Sequence, residues 1–140
     1  MRRSLLFFSL LTAAPLAAMP PAVARTVQIV GHFVPGAGVT TKPAGTVTGT
    51  LNEKRNLVLF SMSWSGLSGP VMAAHFHGPA APGQDAGVMV PIKGPYSSPL
   101  HGAVIMTPEQ VAALRAGRVY INLHTSAYPD GEARAQLQIQ

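Results

Sequence analysis

The feature that most constrains the fold is a series of short apolar runs separated by stretches rich in glycine and proline. The chain has 14 glycines and 13 prolines, and at this density they end strands rather than lie inside them. The strand-like runs cover residues 26–33, 46–51, 57–64, 71–77, 87–92, 101–106, 119–125 and 132–139. About eight short strands at such close spacing predict an all-β sandwich or barrel.

One segment departs from the strand pattern and predicts a short helix. Thr107 can cap its start, Pro108 fits the first turn because its missing N–H is not needed there, and Gln110 takes the capping-box position. Apolar residues follow at helical spacing, and Gly117 is placed to end the helix. We expect this helix to lie across one end of the sandwich.

Residues 1–24 have the three-part pattern of a secretory signal peptide. Arg2 and Arg3 form a positive start, an apolar stretch follows over 5–16, and the small residues 22–24 precede a cleavage point. The apolar stretch is shorter than the roughly 20 residues that span a bilayer. We therefore expect cleavage after residue 24, a secreted or periplasmic protein, one domain at 25–140 and no membrane span after cleavage.

The charge and the cysteine content restrict the kinds of partner and metal ligand that we expect for the exported chain. The net charge is +5, or +3 without Arg2 and Arg3, and the remaining basic residues are scattered. Because no basic groove or helix emerges, the sequence predicts no binding to nucleic acid. The chain contains no cysteine, so packing alone holds the domain, and a metal site would use histidine, methionine or carboxylate ligands.

Histidines are the strongest candidates for chemistry. His75 and His77 flank Phe76, so on a strand both imidazoles leave the same face while Phe76 enters the other. Same-face neighbours lie roughly 6.5–7 Å apart along a strand, a gap that two imidazoles can close around one ion. By the same alternation His124 faces outward from a later strand. These three residues are the predicted metal ligands.

Two further histidines are auxiliary candidates: His101 opens a strand after a long loop, and His32 ends the first strand. Imidazoles without a thiolate suit Cu(II), Zn(II) or Ni(II), in an affinity order that favours copper and leaves zinc as the alternative. Met72 is ambiguous, because its same-face neighbours Ala74 and Phe76 are core-like. The spacing gives no support for a methionine ligand to Cu(I). The competing interpretation is that the histidines are structural and brace the loop at 78–85.

Catalysis by acidic or nucleophilic residues finds little support. No serine lies in a nucleophile elbow, and no phosphate-binding glycine loop precedes a helix. Asp130 and Glu132 are close in sequence, but Asp130 fits a turn. Glu132 and Arg134 lie two apart on a predicted strand, so we expect them to pair across one face as structural residues. Asn122 faces outward and is also expected to be structural.

The chain resembles the CHRD (chordin-type) domain family over essentially all of residues 25–140. The segments that carry the resemblance are Ser-Gly-Leu-Ser-Gly-Pro at 65–70, Ala-His-Phe-His-Gly-Pro-Ala-Ala-Pro-Gly at 74–83, Thr-Pro-Glu-Gln-Val at 107–111, Leu-Arg-Ala-Gly at 114–117, Tyr-Ile-Asn-Leu-His-Thr at 120–125 and Gly-Glu-Ala-Arg-Ala-Gln-Leu at 131–137. The resemblance implies an immunoglobulin-like Greek-key β-sandwich, as in secreted bacterial proteins and in chordin, an extracellular growth-factor antagonist. It implies no established catalytic activity.

The family is also distantly similar to copper–zinc superoxide dismutases. That likeness implies His75, His77 and His124 as copper ligands, with His101 as a fourth. The chain departs from the dismutases because it has no cysteine for their disulfide and no dense His/Asp loop for zinc. It also departs from CHRD sequences at 32–36, where a His-Phe-Val-Pro-Gly stretch replaces a Gln-Glu-Val-Pro-Pro-like one.

Three functions follow from these features. The first is an exported, non-catalytic module that binds a metal ion, with copper favoured. The second is an interaction or structural module with an envelope or extracellular protein as its partner and no metal. The third is a redox enzyme like superoxide dismutase.

Overall fold

The computed structural model describes residues 26–140. The predicted signal peptide at 1–24 and its cleavage point lie outside the described residues. Within 26–140 the elements are β1 Thr26–Pro35, β2 Ala44–Asn52, β3 Leu57–Ser65, β4 Ala73–His77, β5 Val88–Ile92, β6 Leu100–Ile105, α1 Pro108–Arg115, β7 Tyr120–His124, β8 Ala133–Gln136 and β9 Gln138–Ile139. The described part contains no helix with the length and apolar character needed to cross a membrane.

All the strands belong to one antiparallel sheet. Its order is β5-β4-β7-β8-β1-β2-β3-β6, and β9 pairs with β1 beside β8. The end strands β5 and β6 touch each other, so the sheet curls almost into a closed barrel around one core. The predicted class, an all-β sandwich or barrel with one short helix, is confirmed. In this order β4 and β7 are neighbours although more than forty residues separate them.

The core follows the predicted alternation of side chains along the strands. On β3, Val58, Phe60 and Met62 are buried, while the residues between them face outward or are only partly covered. Phe60 meets Phe76 of β4 edge to face, with ring centroids 5.4 Å apart. Such pairs add about 0.5–1.5 kcal/mol to the effect of area burial. The contact joins the two halves of the sheet and fixes which face of β4 points inward.

The predicted last strand, 132–139, is two strands in the structure. Leu137 separates β8 from β9: its side chain is buried in the core, and its N–H donates to the Val119 carbonyl instead of to β1. Gly31 of β1 lies against this point, where a Cβ would come within 2.9 Å of Leu137 Cδ2. The break therefore makes room for Leu137 in the core.

Helix α1 begins with the predicted cap. The Thr107 hydroxyl accepts a hydrogen bond from the Gln110 N–H at 3.3 Å, and Gln110 Oε1 accepts one from the Thr107 N–H at 2.9 Å. The Gln110 side chain also donates to the Met89 carbonyl of β5. Val111 and Leu114 are buried against the core. The helix prediction is confirmed, and the capping residue ties the helix to the sheet.

Glu132 is a fully buried carboxylate that joins three separate loops. Its oxygens accept hydrogen bonds from the Thr41 hydroxyl at 2.6 Å, from the Ser68 N–H and hydroxyl at 2.7 Å each, and from the Thr125 hydroxyl at 2.6 Å. These partners lie between β1 and β2, between β3 and β4, and just after β7. We call Glu132 and these partners the Glu132 clamp.

The predicted pair between Glu132 and Arg134 is wrong. Strand β8 begins only at Ala133, so the two-residue alternation that would place both side chains on one face does not extend back to Glu132. Glu132 turns inward to the clamp, and Arg134 instead forms a salt bridge with Asp85 at 3.1 Å.

The clamp changes the acidity of Glu132. Burial disfavours its charged form, but hydrogen bonds from Thr125, Thr41 and Ser68 outweigh that effect and hold the pKa of Glu132 below its ordinary value of 4.5. The unfolded chain therefore binds a proton more readily than the folded chain does. The stabilisation is complete above pH 4.5 and is lost as the pH falls through the lower folded-state pKa.

We predict that Glu132→Gln lowers the free energy of unfolding at neutral pH by about 1–3 kcal/mol, because charge-assisted hydrogen bonds are replaced by weaker or mismatched ones. The difference from the wild type should shrink as the pH falls below 4.5, since protonation then weakens the wild-type clamp too. Urea unfolding over a pH series measures both effects.

The matched control is Asp130→Asn, a neutralised carboxylate at an exposed position, which should change the free energy of unfolding by less than about 0.5 kcal/mol. An equal loss in both variants would contradict the clamp. So would a difference between wild type and Glu132→Gln that stays constant down to strongly acidic pH.

Candidate metal centre

Strands β4 and β7 place three imidazoles on one outer face of the sheet. Ala73 pairs with His124, His75 with Asn122, and His77 with Tyr120. His124 is therefore the diagonal neighbour of His75. The side chains between the histidines of β4 enter the core, as the sequence predicted.

The three rings are close enough to hold one ion. One ring nitrogen from each of His75, His77 and His124 lies within 4.8 Å of the other two, and His75 Nδ1 is 3.1 Å from His124 Nε2. Two nitrogens bound to one ion at about 2.0–2.1 Å, at angles of about 90–110°, lie about 2.9–3.4 Å apart. The 3.1 Å between the His75 and His124 nitrogens lies in that range, and the His77 nitrogen lies within 4.8 Å of both.

His77 is oriented by a hydrogen bond on one side of its ring and unpaired on the other. Its Nδ1 donates to the Ala86 carbonyl at 3.0 Å, which leaves the lone pair on Nε2. That nitrogen is buried and has no hydrogen-bond partner among residues 26–140. Buried polar atoms nearly always have a partner, so an unpaired one indicates a functional role or a missing ligand.

His124 is held in a similar way. Its Nδ1 lies 2.8 Å from the Pro129 carbonyl, so this nitrogen must be the donor and Nε2 carries the lone pair. His75 Nδ1 then donates to His124 Nε2 across 3.1 Å. Histidines that bind metals usually donate their second ring N–H to a carbonyl or carboxylate, and two of the three do so.

The surroundings of His75 and His77 favour the neutral form of both imidazoles. Burial, and then the neighbouring His124 and His77, lower the pKa of His75 below its ordinary value. Burial also lowers the pKa of His77, and the hydrogen bond to Ala86 offsets only part of that effect. Because metals bind the neutral imidazole, these shifts leave both residues available as ligands at neutral pH.

The loop between β4 and β5 is held against this face by hydrogen bonds to Tyr120. The His77 and Tyr120 rings stack with centroids 5.0 Å apart and planes 11° apart. The Tyr120 hydroxyl accepts a hydrogen bond from the Ala86 N–H and donates one to the Ala86 carbonyl. The Arg134 guanidinium carbon lies 3.6 Å from the Tyr120 ring centroid. Tyr120 and Arg134 therefore position the loop segment that orients His77.

Tyr120 is a member of the site that was not predicted from the sequence. Its position opposite His77 depends on the pairing of β4 with β7, which local periodicity does not reveal. The two-residue spacing of Tyr120, Asn122 and His124 was the available signal, since it places all three on one face.

The structure leaves the two auxiliary histidines apart from this cluster. Exposed His101 pairs with Ser61 on β3, and exposed His32 pairs with Thr46 on β2. Neither belongs to the group of three found within 26–140, so their auxiliary role stays a prediction. Asn122 is buried opposite His75 and donates to the Asp130 carbonyl at 3.2 Å, while its Oδ1 has no hydrogen-bond partner among residues 26–140. Its structural role stays a prediction.

Comparison with protein families matches residues 26–137 to the CHRD domain. The matched residues include all three histidines of the cluster and the Glu132 clamp. No curated protein matches the chain, and no solved structure matches it.

We predict that His77 and His124 carry their proton on Nδ1 in metal-free protein at a pH above the ordinary histidine pKa of about 6.5. The reason is that each Nδ1 faces a backbone carbonyl, which can only accept. Long-range ¹H–¹⁵N correlation NMR identifies the protonated nitrogen of each ring directly. Exposed His101 is the control, and a protonated Nε2 on His77 would contradict the described geometry.

Proposed function

The chain belongs to the CHRD domain family, and we propose that it is an exported, non-catalytic module that binds one transition-metal ion. The ligands are His75, His77 and His124, copper is the favoured metal, and zinc is the alternative. The observation that carries the proposal is the buried, unpaired Nε2 of His77, on a ring that contributes a nitrogen to the cluster of three histidines.

The unpaired nitrogen of His77 makes the binding of a cation energetically favourable. Leaving a buried polar group without a partner costs about 1–3 kcal/mol. A cation bound by His77 Nε2 would remove that cost and would also replace the hydrogen bond between His75 and His124. The second ring nitrogens of His77 and His124 keep their backbone partners throughout, so binding needs no large rearrangement.

The donor set selects the class of metal. Three imidazole nitrogens suit copper, zinc and nickel, and the affinity order places copper above the other two. Calcium and magnesium require oxygen ligands, but the group of three found within residues 26–140 offers only imidazole nitrogens. The likeness to copper–zinc superoxide dismutases stands on the three histidines alone, so the proposed role is binding rather than redox catalysis.

Export rests on the sequence pattern of residues 1–24: two arginines, an apolar stretch and small residues before the cleavage point. A cysteine-free metal site also suits an oxidising compartment, because such a site has no thiolate to be lost to oxidation. The proposed locations are therefore the periplasm or the extracellular medium.

A second candidate is a structural or interaction module with an envelope or extracellular partner and no metal. It is favoured by the same hydrogen bonds that orient the rings, because His77 and His124 each hold a loop through a backbone carbonyl. In that case removing an imidazole would weaken the fold, and metals would have no specific effect. The two candidates therefore give opposite results in a metal titration.

We predict that tag-free protein binds Cu(II) at one equivalent with a raised melting temperature, and that the double variant His75→Ala/His77→Ala loses this binding. His77→Ala alone should weaken binding by more than the roughly 10–100-fold typical of losing a supporting contact. Isothermal titration calorimetry and thermal melting measure the two effects, and parallel titrations with Zn(II) rank the metals.

The control is His101→Ala, which removes an exposed imidazole on β6 and should leave both stoichiometry and affinity unchanged. If the wild type bound these metals only weakly and without a fixed stoichiometry, the metal-binding proposal would be wrong. If His77→Ala also lowered the free energy of unfolding in metal-free buffer, the structural candidate would take its place.

We predict that protein recovered from the periplasm or medium of a bacterial host begins at Arg25. Intact mass spectrometry of the recovered protein determines the first residue. Replacing Ala24 with a bulky residue (Ala24→Leu) should impair processing, because the position before the cleavage point requires a small side chain. Full-length protein confined to the cytoplasm would contradict export.

A further inference from the structure

A shallow depression opens beside two of the three histidines. Its apolar wall consists of Met72, Ala73, Val88 and Pro129, and it reaches His75 and His124. Met72 and Val88 are both more than half exposed. The approach to the cluster is therefore apolar and includes a thioether.

The backbone fixes Met72 next to a ligand. Its N–H donates to the His124 carbonyl at 2.8 Å, and the following residue, Ala73, pairs with His124 in register. The preceding Val71 is buried in the core, whereas the Met72 side chain is 62% exposed. The chain thus turns Met72 away from the core and into the wall of the depression.

The other methionines of the described chain lie elsewhere. Met62 and Met106 are buried in the core. Met89 occupies the irregularity where the pairing of β4 with β5 shifts register; it packs against the core, and its Cε lies 3.0 Å from where a Cβ on Gly78 would be. Among residues 26–140, Met72 is the methionine whose sulfur can turn toward the cluster without unpacking the core.

From this placement we infer that Met72 supplies a fourth, thioether ligand, so that the site holds copper as Cu(I) as well as Cu(II). The inference rests on the proposed metal-binding function. Thioether sulfur is a soft ligand that favours Cu(I), and methionine has three rotatable bonds with which to reach an ion. The histidines alone account for Cu(II) binding, so Met72 acts mainly on the reduced ion.

The test compares Met72→Leu with Met89→Leu, each of which removes one sulfur and keeps an apolar side chain of similar size. Cu(I) affinity is measured anaerobically by competition with bicinchoninate, and Cu(II) affinity by calorimetry. Met72→Leu should weaken Cu(I) binding by at least about 10-fold, the lower end of the range for losing a supporting contact of a metal site. Met72→Leu should weaken Cu(II) binding less than Cu(I) binding, and both affinities of Met89→Leu should match the wild type.

A second measurement reports the sulfur itself. Ag(I) substitutes for Cu(I) without redox chemistry, and the methyl group of Met72 in ¹³C-methyl-methionine-labelled protein should shift on adding one equivalent. The methyl groups of Met62 and Met106, which lie in the core, should not. Melting curves verify that the variants are folded, as expected for a substitution at an exposed position.

The possible outcomes distinguish the inference about Met72 from the metal-binding function on which it rests. If the wild type binds neither Cu(II) nor Cu(I) stoichiometrically, the metal-binding function itself fails. If Cu(II) binds through the histidines but Met72→Leu keeps the wild-type Cu(I) affinity and the Met72 methyl signal does not move with Ag(I), the thioether ligand alone is overturned.

Discussion

The packing of Phe76 into the core determines the geometry of the whole outer face. Phe76 is fully buried against Phe60, and because strand side chains alternate, its burial forces His75 and His77 outward together. The register of β4 with β7 then places His124 diagonally from His75. A slip of one residue would move all these side chains to the opposite face. The positions of the three imidazoles therefore depend on apolar packing on the inner face of the sheet.

Two polar arrangements turn this exposed strand surface into a partly enclosed site. On one side, Tyr120 and Arg134 hold the loop that delivers the Ala86 carbonyl to His77. On the other side, the Glu132 clamp holds Thr125, the residue that follows His124. Both ligand-bearing strands are thus fixed at the points where their histidines lie. This fixation keeps the ring nitrogens close together, so little ordering would oppose the proposed binding of an ion.

Local periodicity was sufficient to predict the strands, the capped helix and the common face of the histidines, because each depends on residues near in sequence. It failed for Glu132 and Arg134, since the start of β8 at Ala133 depends on tertiary contacts of the preceding turn. It also could not separate His101 from the cluster. That distinction depends on which strands are neighbours: β6 pairs with β3, whereas β4 pairs with β5 and β7.

The contrast between Glu132 and His77 bears on whether the histidines are structural or functional. Both are buried, and both form hydrogen bonds with residues that lie outside the strands. Glu132 accepts four hydrogen bonds and has a partner at each oxygen, as expected of a residue that only holds a fold together. His77 needs only Nδ1 to hold its loop, yet its Nε2 is also buried and unpaired beside two further imidazoles. Asn122 Oδ1 is also buried and unpaired, so the unpaired nitrogen alone does not decide between the two roles. The convergence of three imidazoles around that nitrogen is what favours the proposed bound cation over a purely structural role.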